Sequence, residues 1–263
     1  MRPVALLVMV LIGCGGAAQR VPAPPVAEIP VAPVAQRAPV SGRIAPGTPA
    51  PPGAVQPPPP ASIEGCPADM AAVASFCIDR YEAPNEKGEL PYALQTAYDG
   101  EAWCKARGKR LCTEDEWARA CAGPQGHLYP YGDTFRPGVC NDDKGWKEVS
   151  WKALAKWPQD AALDESTHLY QGDMSGARAE CVSAEGVYDL TGNVAEWVRK
   201  SDPDPRPEYQ HVLKGCYWAG CYHEPHPDCV FRNRAHPGAF RTYEAGFRCC
   251  SDAPSSPATL RGE

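Results

Sequence analysis

The chain has 263 residues, 43% of them hydrophobic, with a formal net charge of −6 and a pI near 5.6. This charge gives no basic surface for a polyanion, so nucleic-acid binding is excluded as a function. Half of its 30 prolines lie in the first sixty positions, which indicates an extended tail followed by one folded domain.

The first thirteen residues have the pattern of an export signal. Arg2 is followed by an apolar run from Val4 to Ile12, which is too short to span a bilayer and long enough for a signal-peptide core. Residues 11–14 read Leu-Ile-Gly-Cys and resemble the bacterial lipobox, whose cysteine is lipidated and becomes the new N-terminus. We therefore expect Cys14 to anchor an exported protein to the bacterial cell envelope, at the outer membrane if the cell has two membranes. The alternative is an ordinary cleaved signal with an incidental cysteine.

Residues 14–62 consist mainly of Pro, Ala, Val and Gly. Prolines favour extended polyproline II over helix, and the segment has no periodic apolar face that would stabilise an ordered structure. The sequence therefore predicts a disordered tether over 14–62, one domain over 63–252 and a flexible tail over 253–263.

Cysteine usage indicates a disulfide framework in the predicted domain. Twelve cysteines lie between Cys66 and Cys250, an even number in a chain expected to be exported, so up to six disulfides can form. Their connectivity does not follow from sequence, although Cys66 with Cys77 and Cys121 with Cys140 are plausible closures. The commonest zinc-ribbon spacing, Cys-x-x-Cys, is absent from the chain.

Two helices are predicted in the first half of the domain. The first lies in ALQTAYDGEAWCKARG and ends at Gly108. The second begins after Thr113, which forms a capping-box pattern with Glu116, and it ends at Gly123. Its Trp117 is expected to face inward and its Glu114 to face water. Short strands are predicted in FCIDRYE, GVYDL, AEWVRK, HVLKGCYW and AGFRCC.

Several stretches of the domain occur in the order and approximate spacing of a known family. These are FCIDRYEAPN, WCKARGKRLCTEDEWARACAG, YPYG, CN, GVYDLTGNVAEWV, VLKGCYW and AGFRCC. Over about residues 66 to 251 the chain resembles the formylglycine-generating-enzyme, or sulfatase-modifying-factor, domain. The resemblance implies an α+β fold with little regular secondary structure, similar in outline to C-type-lectin-like domains.

The resemblance also implies calcium. Family proteins bind the ion in the loop that matches DLTGNVAEW, which would place the Asp189 side chain, the Gly192 and Val194 carbonyls and the Glu196 carboxylate around it. These are all hard oxygen donors of the kind that calcium prefers. The alternative is a turn in which Asp189 only caps local amides. If calcium binds, Glu196→Ala is expected to lower stability in calcium and to leave stability in chelator almost unchanged.

A second calcium site of the family begins at an asparagine that matches Asn141, followed here by Asp142. Its later ligands have no counterpart that can be placed, because the segment from Lys144 to Glu180 departs from the family pattern.

The cysteines near the end of the domain leave two interpretations open. The family oxidase binds Cu(I) through two thiolates, which are soft ligands that suit this ion. Cys216 and Cys221 have the right separation but are out of register with the family pair, so the copper interpretation uses Cys221 and Cys229 as catalytic residues. Insertions before and between these two argue against it, because small displacements at a catalytic pair cost much of the rate. The first interpretation of these cysteines is therefore that they form disulfides, with each other or with Cys249 and Cys250.

A nearby group of histidines and carboxylates has the residue types of a non-heme iron site, namely His223, His226 and His236 with Glu224 or Asp228. Prolines interrupt the stretch and prevent a regular helix that would gather these side chains. The iron-dependent relatives use an added helical domain for their histidines. A proline-rich loop is therefore the favoured interpretation.

Together these patterns predict a lipid-anchored envelope protein with a calcium-stabilised, disulfide-rich α+β domain that has a binding or structural role. Its expected contacts are the membrane, through Cys14, and an envelope protein or peptide. The alternatives are a copper-dependent formylglycine-generating oxidase acting on a peptidyl cysteine and a non-heme iron enzyme of the same superfamily.

Overall fold

The computed structural model of the chain describes residues 65–221 and 226–253. The predicted signal peptide, Cys14, the tether over 14–62 and the tail beyond residue 253 lie outside these residues. Within the described ranges, none of the helices has the length and apolarity needed to cross a membrane.

The domain combines short helices with two small sheets, as an α+β fold. The helices are α1 (Ala97–Lys105), α2 (Glu114–Ala122), α3 (Trp151–Leu154) and α4 (Asp160–Leu169), with a 3-10 turn at Pro207–Tyr209. The strands are β1 (Met70–Val73), β2 (Phe76–Asp79), β3 (Arg110–Leu111), β4 (Ala195–Arg199), β5 (His211–Lys214), β6 (Ala245–Phe247) and β7 (Cys249–Asp252).

One sheet has the strand order β1-β2-β7-β3 and is antiparallel throughout. The other has the order β5-β4-β6, in which β4 pairs antiparallel with β5 and parallel with β6. Strand β4 is therefore central, which explains why four of its five residues are buried. The predicted strand GVYDL is not a strand, because Tyr188 makes only an isolated bridge to Val182.

Local capping rules account for the starts of α1 and α2. Thr96 and Asp99 form a capping box at α1, and Thr113 and Glu116 form the predicted one at α2. Trp117 is fully buried, as expected. The expectation for Glu114 is wrong, since it is only 5% exposed and its carboxylate contacts the guanidinium of Arg232 at 2.5 Å. An arginine that lies 118 positions later in the sequence therefore covers the start of this helix.

Six disulfides use all twelve cysteines between Cys66 and Cys250. They join Cys66–Cys77, Cys104–Cys249, Cys112–Cys250, Cys121–Cys229, Cys140–Cys181 and Cys216–Cys221. The Cys66–Cys77 closure is confirmed, whereas Cys121–Cys140 is wrong. Of the pairings expected for the late cysteines, Cys216 does bond to Cys221, but Cys229 bonds neither to these nor to Cys249 or Cys250. The adjacent Cys249 and Cys250 lie on one strand and therefore point to opposite faces of the sheet, so one bonds to α1 and the other reaches the residue after β3.

Candidate calcium loops and the predicted cysteine pair

The loop 189–194 is sharply bent before it enters β4. Asp189, Gly192 and Asn193 have φ values of 57°, 78° and 56°. Asp and Asn tolerate this left-handed region better than other side chains do. At Gly192 a Cβ would collide with the carbonyl group of Asn141, so glycine is also required by space. This close approach brings the two predicted calcium segments together, and the Asn193 amide donates to the Asn141 carbonyl at 2.7 Å.

Asp189 lies beside a buried carboxylate that the sequence-based prediction missed. The Asp189 Oδ2 accepts the Gly176 amide at 2.7 Å, and burial raises its pKa to about 6. Glu82 is fully buried and accepts the Asn193 side-chain amide at 2.9 Å. Burial, reinforced by the charge of Asp189, holds the pKa of Glu82 well above its usual range. The sequence signal for Glu82 is an acidic residue three positions after the end of the buried strand β2.

Glu196 is bound by a cation of the chain itself. Its carboxylate accepts the Arg248 guanidinium at 2.6 and 2.7 Å and the Trp117 indole N–H at 2.9 Å. The side chains of Glu196 and Arg248 are 1% and 0% exposed. Both Glu196 oxygens are thus engaged by Arg248, a role that motif matching did not reveal.

Among the buried ionisable groups around this loop, acidic groups outnumber basic ones. Glu82, Asp189 and Glu196 surround the guanidinium of Arg248; the charges of Asp189 and Glu196 add to the effect of burial in raising the pKa of Glu82, and the charge of Glu196 also acts to raise the pKa of Asp189. A divalent cation held by oxygen donors would relieve this excess, so Asp189 with the loop carbonyls fits calcium. Glu196 fits less well, because it would have to share its oxygens with Arg248.

The segment of the second predicted site contains an unpaired carboxylate. Asp142 is 7% exposed, and neither of its oxygens has a hydrogen-bond partner among the described residues. Burial, with the charge of Asp143, raises its pKa to about 6. Neighbouring Asn141 donates its side-chain amide to the Gln171 carbonyl at 3.1 Å and to Asn193 Oδ1 at 3.1 Å. An unpaired buried carboxylate fits a cation ligand.

Side chains alone do not complete a metal site. Over residues 65–221 and 226–253, no group of three or more His, Cys, Asp or Glu side chains is arranged to hold an ion. Calcium at Asp189, Gly192, Val194 and Glu196, or at Asn141 and Asp142, would therefore depend on backbone carbonyls or water as further ligands. It stays a prediction.

The structure separates the two cysteines of the copper interpretation. Cys221 is bonded to Cys216, and Cys229 is bonded to Cys121. Cys229 is fully buried beside α2, where its amide donates to the Leu128 carbonyl at 2.8 Å. Cys221 and Cys229 therefore do not form the thiol pair that this interpretation requires, because α2 supplies a partner that is distant in sequence.

The histidines of the iron interpretation that the structure describes have separate surroundings. The His226 ring stacks on Phe135 at 3.7 Å between centroids, and His236 stacks on Phe240 at 3.9 Å. Asp228 accepts the amides of two residues that follow it, at 3.0 and 2.7 Å. His223 and Glu224 lie outside the described residues. Nothing in these contacts supports a shared ligand set.

The curated proteins that are similar to the chain include an inactive and an active-named formylglycine-generating enzyme. The chain is 31% identical over 183 residues to the inactive C-alpha-formylglycine-generating enzyme 2 of Bos taurus, covering 66% of this chain and 54% of the relative. It is 27% identical over 171 residues to the formylglycine-generating enzyme of Mus musculus, covering 59% and 42%. The chain thus spans about half the length of the curated relatives that it matches.

Solved structures with a similar fold include CarF, at 14% identity and a TM-score of 0.43, which covers 67% of this chain and 86% of that one. PvdO from Pseudomonas aeruginosa, at 18% identity and a TM-score of 0.45, covers 67% and 80%. The model of the sulfatase-modifying factor enzyme 1-like domain matches residues 68–253. The chain therefore belongs to the sulfatase-modifying-factor, or formylglycine-generating-enzyme, domain family.

Proposed function

We propose that this protein is a lipid-anchored envelope protein whose domain binds a partner or stabilises the envelope and does not oxidise cysteine to formylglycine. The observation that supports this function best is the bonding of Cys221 and Cys229 to different cysteines. Near-linear Cu(I) coordination needs two thiolates side by side. Two disulfides would have to be reduced before such a site could form.

The relatives agree with this proposal. Two of the similar curated proteins, from Bos taurus and Mus musculus, are named as inactive formylglycine-generating enzymes. The family domain thus persists in proteins whose names exclude the oxidase activity. A binding or structural role fits an envelope location, where an envelope protein or a peptide is the expected partner.

Calcium is part of the proposal as a structural ion. Asp189 and Asp142 would supply carboxylate oxygens, and the bent loop around Gly192 would supply carbonyls. The ion would stabilise the fold by binding only the folded state, which raises stability by about 2.7 kcal/mol at a hundredfold excess over Kd.

The test of the oxidase question uses the full chain as purified. We expect no free thiol among the twelve cysteines from Cys66 to Cys250 after denaturation without reductant, no stoichiometric binding of anaerobic Cu(I), and no formylglycine on a cysteine-containing peptide. Copper-dependent peptide oxidation that is lost in both Cys221→Ser and Cys229→Ser would contradict the proposal. Cys66→Ser is the matched control, since it also opens a disulfide but is not a candidate copper ligand.

The lipid anchor is tested separately by Cys14→Ser. This variant is expected to leave the membrane fraction, because the acceptor of the lipid and the processing site are both lost. Retention of Cys14→Ser in washed membranes at the wild-type level would contradict lipid anchoring and would leave the conclusion about the oxidase unchanged.

A further inference from the structure

The six disulfides differ in their access to solvent. Four are formed only by fully buried cysteines. Cys66–Cys77 and Cys216–Cys221 each combine a buried cysteine with a partly exposed one, which is Cys66 in the first and Cys221 in the second. Because a thiolate must reach a sulfur atom to exchange with a disulfide, these two are the candidates for exchange in the folded protein.

The Cys216–Cys221 disulfide lines a small cavity. Cys216 and Cys221 border a cavity of about 20 Å³ together with Tyr217, Asn233 and Glu244. A space of this size holds one water-sized group. The cavity therefore gives a single small atom, such as a sulfur on an unbranched chain, a place beside the disulfide.

Glu244 is the charged side chain of this cavity. It is 6% exposed, and the Thr242 hydroxyl donates to its carboxylate. The arginines on either side of Asn233 pair elsewhere, Arg232 with Glu114 and Arg234 with Asp202. Among the described cavity-lining residues, Glu244 alone carries a carboxyl, and Tyr217 is the other titratable group.

We propose that Cys216–Cys221 is a thiol–disulfide exchange site for slim, unbranched dithiols, with the Glu244 carboxyl as the proton donor to the departing sulfur. The incoming thiolate attacks Cys221 Sγ, because Cys216 is only 3% exposed. The new S–S bond forms as the Cys216–Cys221 bond breaks, and the electron pair goes to Cys216 Sγ, which takes the proton of Glu244. This step leaves a mixed disulfide between Cys221 and the dithiol.

The second thiol of the same dithiol completes the exchange. As a thiolate it attacks its own sulfur in the mixed disulfide and displaces Cys221 as a thiolate, which is then protonated from solvent. The dithiol is thereby oxidised by two electrons to a disulfide, and the protein gains two thiols. The reaction requires no metal and no oxygen, and it goes beyond the proposed binding or structural role.

Glu244 predicts the pH dependence of the first step. Burial raises the pKa of Glu244 to about 7, so the carboxyl keeps its proton below neutral pH and loses it above. The protonated form donates a proton, whereas the ionised form repels the incoming thiolate. The rate per thiolate should therefore fall as the pH rises through 7.

The first experiment treats the oxidised full chain with dithiothreitol at pH 7 without denaturant. Samples are quenched in acid and alkylated, and the labelled cysteines are identified by peptide mass spectrometry. We expect Cys216 and Cys221 to be labelled at least about tenfold faster than Cys66 and Cys77, which serve as the matched control in the same tube. Equal or slower labelling of Cys216 and Cys221 would overturn the proposal.

The second experiment tests Glu244 through the pH profile, with rates divided by the thiolate fraction of the reagent. From pH 6 to pH 8 the rate at Cys216–Cys221 should fall about tenfold in the wild type, following the loss of the Glu244 proton, and stay flat in Glu244→Gln. Thermal unfolding of the oxidised variant checks that it is folded. If it does not fold, the wild-type profile decides alone, with Cys66–Cys77 as the flat internal reference. A flat wild-type profile would exclude Glu244 as the proton donor.

The third experiment tests the size limit with two monothiols, cysteine and its β,β-dimethyl analogue penicillamine. The rate with cysteine is divided by the rate with penicillamine, both at Cys216–Cys221 and at Cys66–Cys77. This quotient should be at least about tenfold larger at Cys216–Cys221, because the cavity has no room for the two methyl groups of penicillamine. A ratio near one would refute the slim-thiol part of the proposal.

Discussion

Replacing Glu196 by alanine separates a structural role of this carboxylate from a role as a calcium ligand. The family resemblance predicts a loss of stability only when calcium is present. In the structure, however, Glu196 binds the Arg248 guanidinium at 2.6 and 2.7 Å, with both side chains at most 1% exposed. The structure therefore predicts a loss in chelator as well.

The magnitude follows from the burial of Arg248. Removing one partner of a buried pair leaves the other charge uncompensated and costs about 3–5 kcal/mol. Nearby Glu82 and Asp189 can ionise further and offset part of this cost, while Arg248 retains contacts with the carbonyls of Asp79 and Tyr188. We therefore expect a loss of about 3 kcal/mol for Glu196→Ala without calcium.

The assay is urea unfolding at pH 7 with the disulfides intact, in calcium and in chelator. The loss common to both conditions measures the pair with Arg248, and any extra loss in calcium measures ligation. Glu180→Ala is the control, because its pair with Arg136 is largely exposed and should contribute at most about 1 kcal/mol. A Glu196→Ala loss in chelator no larger than that of the control would refute the role assigned to Arg248.

Three further predictions concern other parts of the domain. Replacing both Cys121 and Cys229 by alanine should cost about 2–5 kcal/mol in urea unfolding, because their disulfide spans 108 residues. Gly192→Ala should destabilise the protein by at least about 1 kcal/mol more than Gly108→Ala, because both have a positive φ but only the first meets the Asn141 backbone. Between pH 4.5 and 7 the wild type should lose stability relative to Glu244→Gln as the pH rises. The reason is that the raised pKa of Glu244 makes folding of the wild type take up a proton in this window.

Each of these predictions has an outcome that would contradict it. An unchanged urea midpoint in the double cysteine variant would mean that the bond is dispensable. Equal losses at Gly192 and Gly108 would mean that the 189–194 loop can move away from Asn141. A difference between Glu244→Gln and wild type that does not change with pH would show that the Glu244 carboxyl titrates normally in the folded protein.

Short-range features of the domain could be predicted from the sequence alone. The capping boxes at Thr96 and Thr113 act within one helical turn, although only the second was recognised. Cys66 and Cys77 lie close because a tight hairpin joins β1 and β2. The motifs also identified the family, because their residues and their order along the chain can both be read directly from the sequence.

Tertiary structure decided the features that join distant segments. Arg248 reaches Glu196 across 52 positions, and Cys229 bonds to Cys121 rather than to Cys221. Glu114 is buried, against its helical pattern, because Arg232 covers it. Neither composition nor periodicity carries information on such partners, because a buried charge or thiol is satisfied by whichever group the folded chain brings within reach. Sequence alone therefore determined the family and the local elements, whereas folding determined which charges and sulfur atoms meet.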